Sequence, residues 1–157
     1  MIKQDRVLWV VVGILLISVV TLLVYLQFFQ QKQEIIERAL LNPECQTAGF
    51  PCKVKLKGGG SVQLTISPQP VEVMKPLEVR IKLNQVTAKR VSAQFNGVGM
   101  NMGMNRYIFN EESNGTFLAT VTLPVCIRNR MEWDAEIHLE TKQGIIIAPY
   151  KFETIKQ

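Results

Sequence analysis

Histidine is almost missing from this chain, which has His138 and no other. There is also no nucleophile elbow, no His-Glu-x-x-His helix, no phosphate loop and no dinucleotide fingerprint. Hydrolytic, phosphoryl-transfer and hydride-transfer chemistries therefore lack their usual parts, and the sequence predicts a protein that is not an enzyme. Cysteine is scarce too: there are three, and none forms a Cys-x-x-Cys pair or a familiar zinc spacing, which disfavours a thiol-redox or zinc protein. The imidazole and carboxylate clusters that zinc or calcium would want are not present. Charge of one sign is nowhere concentrated. The net charge is +5 for the whole chain, and beyond residue 29 the 16 basic and 12 acidic side chains are interspersed. That does not indicate a nucleic-acid surface and is met by a solvated face, or by one beside anionic headgroups. No internal repeat or low-complexity linker divides the chain.

What the sequence does contain begins with 23 consecutive residues without a formal charge, 7–29, opening on Val7 and closing on Phe29. As a helix they span roughly 34 Å, enough for a hydrocarbon core of about 30 Å. The run is too long for the apolar part of a signal peptide, and no small-x-small cleavage pattern follows it. It reads as an uncleaved membrane anchor, with Trp9 and Tyr25 near its ends where amphipathic rings favour the interface. Lys3 and Arg6 flank one end, Lys32 and Arg38 the other. The short basic tail predicts residues 1–6 on the inner, cytoplasmic side and the domain beyond the anchor on the outer side.

Residues 30–41 carry good helix formers, with Glu34 and Arg38 four apart and Ile35, Ile36, Ala39 and Leu40 along one side, so the helix is expected to continue as a stalk. Asn42-Pro43 ends it. Cys45 and Cys52 then bracket a loop containing Gly49 and Pro51, and in an oxidising compartment they read as a disulfide, completing a stalk segment over 30–52.

From residue 53 the apolar period becomes two. Val54 and Leu56, then Val62, Leu64 and Ile66 across a Gly58-Gly59-Gly60 turn, then Leu77, Val79, Ile81 and Leu83 each alternate with polar neighbours. Further strands are read over 90–95, 117–123, 133–139 and 145–153, with Asn114-Gly115 taken as a hairpin turn rather than a glycosylation acceptor. Seven or eight short strands argue for an all-β, immunoglobulin-like antiparallel sandwich over 53–157.

Three of the six methionines fall at alternate positions, Met100, Met102 and Met104, within Gly-Met-Asn-Met-Gly-Met-Asn. In an extended backbone all three leave by one face, on the parity of Ser92, Gln94 and Asn96 and opposite to Val91, Ala93 and Phe95. Neutral thioethers suit Cu(I) and need no deprotonation; the alternative is three flexible side chains filling a core gap. Gly97, Gly99 and Gly103 could each place a bulge there and flip the register. Cys126 is left over once Cys45 and Cys52 pair, either as a buried small hydrophobe or as a fourth soft donor, with Met131 close behind it in sequence. His138 lies on the polar parity of its strand, where a solvated surface explains it and a ligand role is the alternative.

An anchored chain followed by Met-x-Met-Gly (Met100, Met102, Gly103), then Asn-Gly-Thr-Phe-x-Ala-x-Val-x-Leu-Pro (Gly115, Phe117) and a Trp opening the next strand (Trp133) resembles the FixH and YtkA-like group of membrane-anchored bacterial proteins. The similarity covers residues 61–153. It implies a periplasmic domain anchored in the bacterial inner membrane that handles copper or serves assembly of copper-containing respiratory oxidases, with a copper donor or acceptor as protein partner. The chain departs from that pattern in Glu132 before the Trp, in Cys126 and in the Cys45/Cys52 loop. The resulting expectation is a Cu(I)-binding protein or chaperone using Met100, Met102, Met104, Cys126 and Met131. The rival is a metal-free interaction subunit of an inner-membrane complex, with the methionines as an adaptable contact surface.

Overall fold

A computed structural model describes residues 2–29, 34–45, 51–99, 103, 105–124 and 130–155. The chain divides into two units, Met1–Gln33 and Glu34–Gln157. The first is a single helix, α1 (Ile2–Phe29), whose segment Trp9–Leu26 is long and apolar enough to cross a membrane. Its two hydroxyl side chains within the apolar segment bond back to the helix: the Ser18 hydroxyl donates to the Leu15 carbonyl at 2.8 Å and Thr21 to the Ile17 carbonyl at 2.9 Å. Such back-bonding lets hydroxyls sit in an apolar helix without an unmet donor.

The second unit is built from nine strands: β1 (Ile35–Arg38), β2 (Cys52–Lys55), β3 (Ser61–Ser67), β4 (Pro76–Asn84), β5 (Arg90–Gly97), β6 (Arg106–Ser113), β7 (Thr116–Thr122), β8 (Arg130–Glu140) and β9 (Ile145–Ile155). They form one sheet in the order β1-β9-β8-β5-β6-β7-β4-β3-β2. The alternation read in the sequence is real: Leu77, Val79, Ile81 and Leu83 in β4 and Trp133, Ala135, Ile137 and Leu139 in β8 are all buried. What forms, however, is a single curled sheet, a half-barrel, rather than the two separate sheets of an immunoglobulin-like sandwich. The reason lies in β6. Its first half, through Phe109, pairs with β5, and its second half, from Asn110, pairs with β7, so one strand carries the ladder around the bend. Curling brings the inner faces of the two ends together, and the Tyr150 hydroxyl on β9 donates to the Val62 carbonyl on β3 at 2.6 Å across the core. Burial pushes the Tyr150 phenol far up, which keeps it protonated as a donor. Trp133 is anchored in the same way, its indole N–H donating to Thr154 Oγ1 at 2.9 Å while its ring stacks on Phe152.

Residues 35–38 correct the expected helical stalk. They form β1, the only parallel strand among the described residues, laid along β9. Local helix propensity is weak, a few tenths of a kcal/mol per residue, and β9 offers an open edge whose ladder outweighs it. Ile145 N–H donates to the Glu34 carbonyl at 2.9 Å and Ala39 N–H to the Ile147 carbonyl at 2.8 Å. Arg38 turns from its helical partner Glu34 to Glu136 on β8, 2.8 Å away. The compact β-unit thus starts at Glu34, well before the expected boundary at residue 53. After β1, the chain is held against β2 by the Cys45–Cys52 disulfide and by the Asn42 side-chain amide donating to the Lys53 carbonyl at 3.0 Å.

Gly144 is what lets β1 come so close. A β-carbon there would stand 2.5 Å from Ile36 Cγ2 and 2.7 Å from the Glu34 carbonyl oxygen. We therefore expect Gly144→Ala to overpack this contact at a cost of about 1–3 kcal/mol. Hydrogen exchange should speed up at the Ala39 and Ile145 amides and stay slow in the β5–β8 ladder. Unchanged protection of Ala39 and Ile145 would show that the packing of β1 does not depend on this glycine.

Candidate functional site

The sulfur-bearing stretch is a connection between β5 and β6. Its base is closed by backbone bonds: Phe95 N–H donates to the Asn105 carbonyl at 2.9 Å, directly beyond the Gln94–Arg106 pair of the ladder, and Val98 N–H donates to the Glu132 carbonyl at 2.9 Å. The chain therefore reverses between residues 95 and 105 and does not run on as a straight strand. Gly99 (φ 76°) and Gly103 (φ 74°) both take the left-handed conformation that L side chains rarely adopt. Parity counted from Val91, Ala93 and Phe95 is sound up to Phe95, where all three are fully buried, and it cannot be carried through the two glycines. Met100, Met102 and Met104 lie outside the described residues, and so does Cys126.

The flanks of these two segments are described, and they leave from the same end of the sheet. The stretch holding Cys126 connects Pro124, just past β7, to Arg130 at the start of β8. At the near side of this stretch, the Tyr107 hydroxyl on β6 donates to the Thr122 carbonyl at 2.7 Å and accepts from Thr122 N–H at 3.4 Å. At its far side, β8 begins beside Val98 through the Glu132 bond already described. The end of β5, the start of β6, the end of β7 and the start of β8 therefore form one rim. The chain enters the β-unit at the opposite end, where Ile35 pairs with Ile145.

Met131 is the one expected sulfur donor whose side chain is described. It is 4% exposed, on the inward parity of β8, and packs into the apolar core. That burial counts it with the gap-filling methionines and not with an open thioether row. A cleft of about 410 Å³ opens beside it, lined by Val98, Arg130, Glu132 and Glu153. Arg130 Nε donates to Glu153 Oε2 at 2.6 Å, and Glu132 lies directly across from Glu153 in the β8–β9 register. Among the described residues no group of three His, Cys, Asp or Glu side chains could hold a metal ion.

His138 differs from the solvated residue expected from parity. It does face outward, but its side chain is only 16% exposed, and among the described residues Nε2 is buried without a hydrogen-bond partner. Three strands close around it. Ser92 on β5 sits beside it in register, and Ile147 flanks it on β9. Arg106 on β6 reaches over, its Nη2 donating to Ser92 Oγ at 2.9 Å. Sequence alternation could not reveal this, because the covering residues come from other strands. Seven residues, roughly 23 Å of strand, separate His138 from Met131. The rim and the histidine are therefore distinct places.

Desolvation lowers the His138 pKa from its ordinary 6.5, and the charges of Arg106 and Arg38 add to the effect; Glu136, with Oε2 3.6 Å from Nε2, opposes it. The fold thus favours neutral imidazole. Its contribution to stability is complete above pH 6.5, and it is lost as pH falls through that value and toward the lower folded pKa. The melting temperature should drop between neutral pH and pH ~5 in the native protein and drop less in His138→Gln. Parallel curves for the two proteins would exclude His138 as the titrating group.

No known family profile matches the chain, and neither a curated protein nor a solved structure does.

Proposed function

We propose that the chain is a non-catalytic, membrane-anchored carrier of Cu(I) in the bacterial periplasm, with α1 as a retained anchor and the rim formed by the β5–β6 and β7–β8 connections as the cargo site. In this reading Met100, Met102 and Met104 supply thioethers and Cys126 a thiolate. The single observation that carries it is topological. The segment with three alternating methionines and the segment with the third cysteine, Cys126, are separate in sequence, yet their described flanks meet at one end of the sheet through the Val98–Glu132 and Tyr107–Thr122 bonds. Left-handed Gly99 and Gly103 support it further, because a backbone without β-carbons lets a soft ion or a partner's ligand approach closely.

Thioethers bind Cu(I) while remaining neutral, and they exchange readily, so such a site suits transfer to a partner bearing thiolates or imidazoles. The Cys45–Cys52 disulfide agrees with an oxidising compartment, where the glutathione pool would not keep these thiols reduced. The likeness to FixH and YtkA-like proteins points the same way, toward a copper-containing respiratory oxidase as the final recipient.

Anaerobic titration of the full chain in detergent with Cu(I), against a chromophoric Cu(I) chelator, tests this. We expect one ion per chain. Replacing Met100, Met102 and Met104 together with leucine should weaken binding at least about tenfold, or more than about 1.4 kcal/mol. Cys126→Ser should weaken it independently. Absence of binding, or equal affinity in the methionine variant, would remove copper and leave an interaction subunit.

A further inference from the structure

Apart from the rim and the covered His138, the β-unit carries a cleft of about 630 Å³ between the segment after β1 and the edge strand β2. One wall is apolar, made by Leu40, Leu41 and Pro43, and Leu40 is 78% exposed. The facing wall carries Lys53, Lys55 and Lys57 at alternate positions, all exposed. Successive lysines on such a wall stand roughly 7 Å apart.

Elsewhere on this surface Lys75, Lys151, Arg80, Arg90 and Arg130 each stand against a carboxylate. Among the described residues none of the three cleft lysines is in a salt bridge; Lys82, Lys89 and Lys142 also have none, but they stand singly on separate segments, whereas the cleft lysines form a row. Glu37 on β1 accepts from the Lys57 backbone N–H at 2.6 Å, and Glu44 is among the residues that line the cleft. The two walls are also fixed to each other. The Cys45–Cys52 disulfide and the Asn42–Lys53 bond clamp the apolar segment against the lysine row, so apolar and cationic groups are presented side by side without any rearrangement.

The geometry points to a docking surface for an anionic bilayer: Leu40, Leu41 and Pro43 enter the headgroup boundary while Lys53, Lys55 and Lys57 engage lipid phosphates. A row of cations with aliphatic stems beside exposed apolar side chains is the pattern that gains from both halves of that boundary. The membrane is the occupant of choice because four residues separate Phe29 from Glu34, and a β-unit on so short a covalent link meets the bilayer at high effective concentration. This inference rests on α1 being a retained anchor and is independent of copper. Lysines on an exposed edge strand also discourage strand-to-strand aggregation, a role that needs no lipid.

The full chain, reconstituted into nanodiscs of phosphatidylcholine alone or of phosphatidylcholine enriched in phosphatidylglycerol, would be footprinted by lysine methylation, with Lys82, Lys89 and Lys142 as internal controls. We expect labelling at Lys53, Lys55 and Lys57 to slow about fivefold in the anionic discs only, and high salt to restore it. Replacing the three lysines with glutamine should restore hydroxyl-radical labelling of Leu40 in anionic discs. Equal protection in both discs, or none in either, overturns the proposal. Protection produced in phosphatidylcholine discs by glycerol phosphate identifies a free-anion site and overturns the bilayer as occupant. A chain that does not remain with the discs overturns the anchor as well, whatever its copper affinity.

Discussion

A lone β-sheet with one apolar face can exclude water from that face only by bending back on itself, and everything in this β-unit follows from how it bends. The bend is carried by β6, which gives its first half to β5 and its second half to β7. Backbone pairing therefore continues around the corner, and only the outermost strands expose unpaired edges. With the curl in place, β9 and β3 face each other closely enough for the Tyr150 hydroxyl to reach Val62. A buried phenol donating to a buried carbonyl fixes that approach, since leaving either group unmet costs about 1–3 kcal/mol.

The two exposed edges are managed differently. At one, β1 covers β9 and is held by Gly144, by Arg38 on Glu136 and by the backbone bonds of Glu34 and Ala39. At the other, β2 carries lysines and is tied to the incoming chain by a disulfide. Glu37 spans the two edges, sitting on β1 and accepting from the Lys57 backbone. The half-barrel is thus laced across its opening by the residues that lead into it, and that lacing creates the lysine cleft. The end of the sheet away from this entry is left to the β5–β6 and β7–β8 connections.

His138 shows how the same curl sets electrostatics. On paper it alternates outward with Glu136 and Glu140; in the fold Ser92, Arg106 and Ile147 close over it, and its neighbours in space include two arginines. The neutral imidazole is the form that this setting tolerates. Met131, one strand position from Glu132, shows the converse, being drawn into the core although it neighbours the rim.

The sequence by itself determined the elements whose physics is local. Period-two burial in β4 and β8, the turn at Asn114-Gly115, the pairing of Cys45 with Cys52 and the apolar helix α1 all follow from residues a few positions apart. Only the tertiary structure decided the rest, because each remaining feature is a competition won by a distant partner. Residues 35–38 are a strand because β9 has an edge to fill. The sheet is curled rather than split because β6 pairs on two sides. His138 is covered by strands that alternation cannot see. The reversal between Phe95 and Asn105 likewise belongs to β5–β6 pairing, which is why counting parity from Val91 stops short of the methionines.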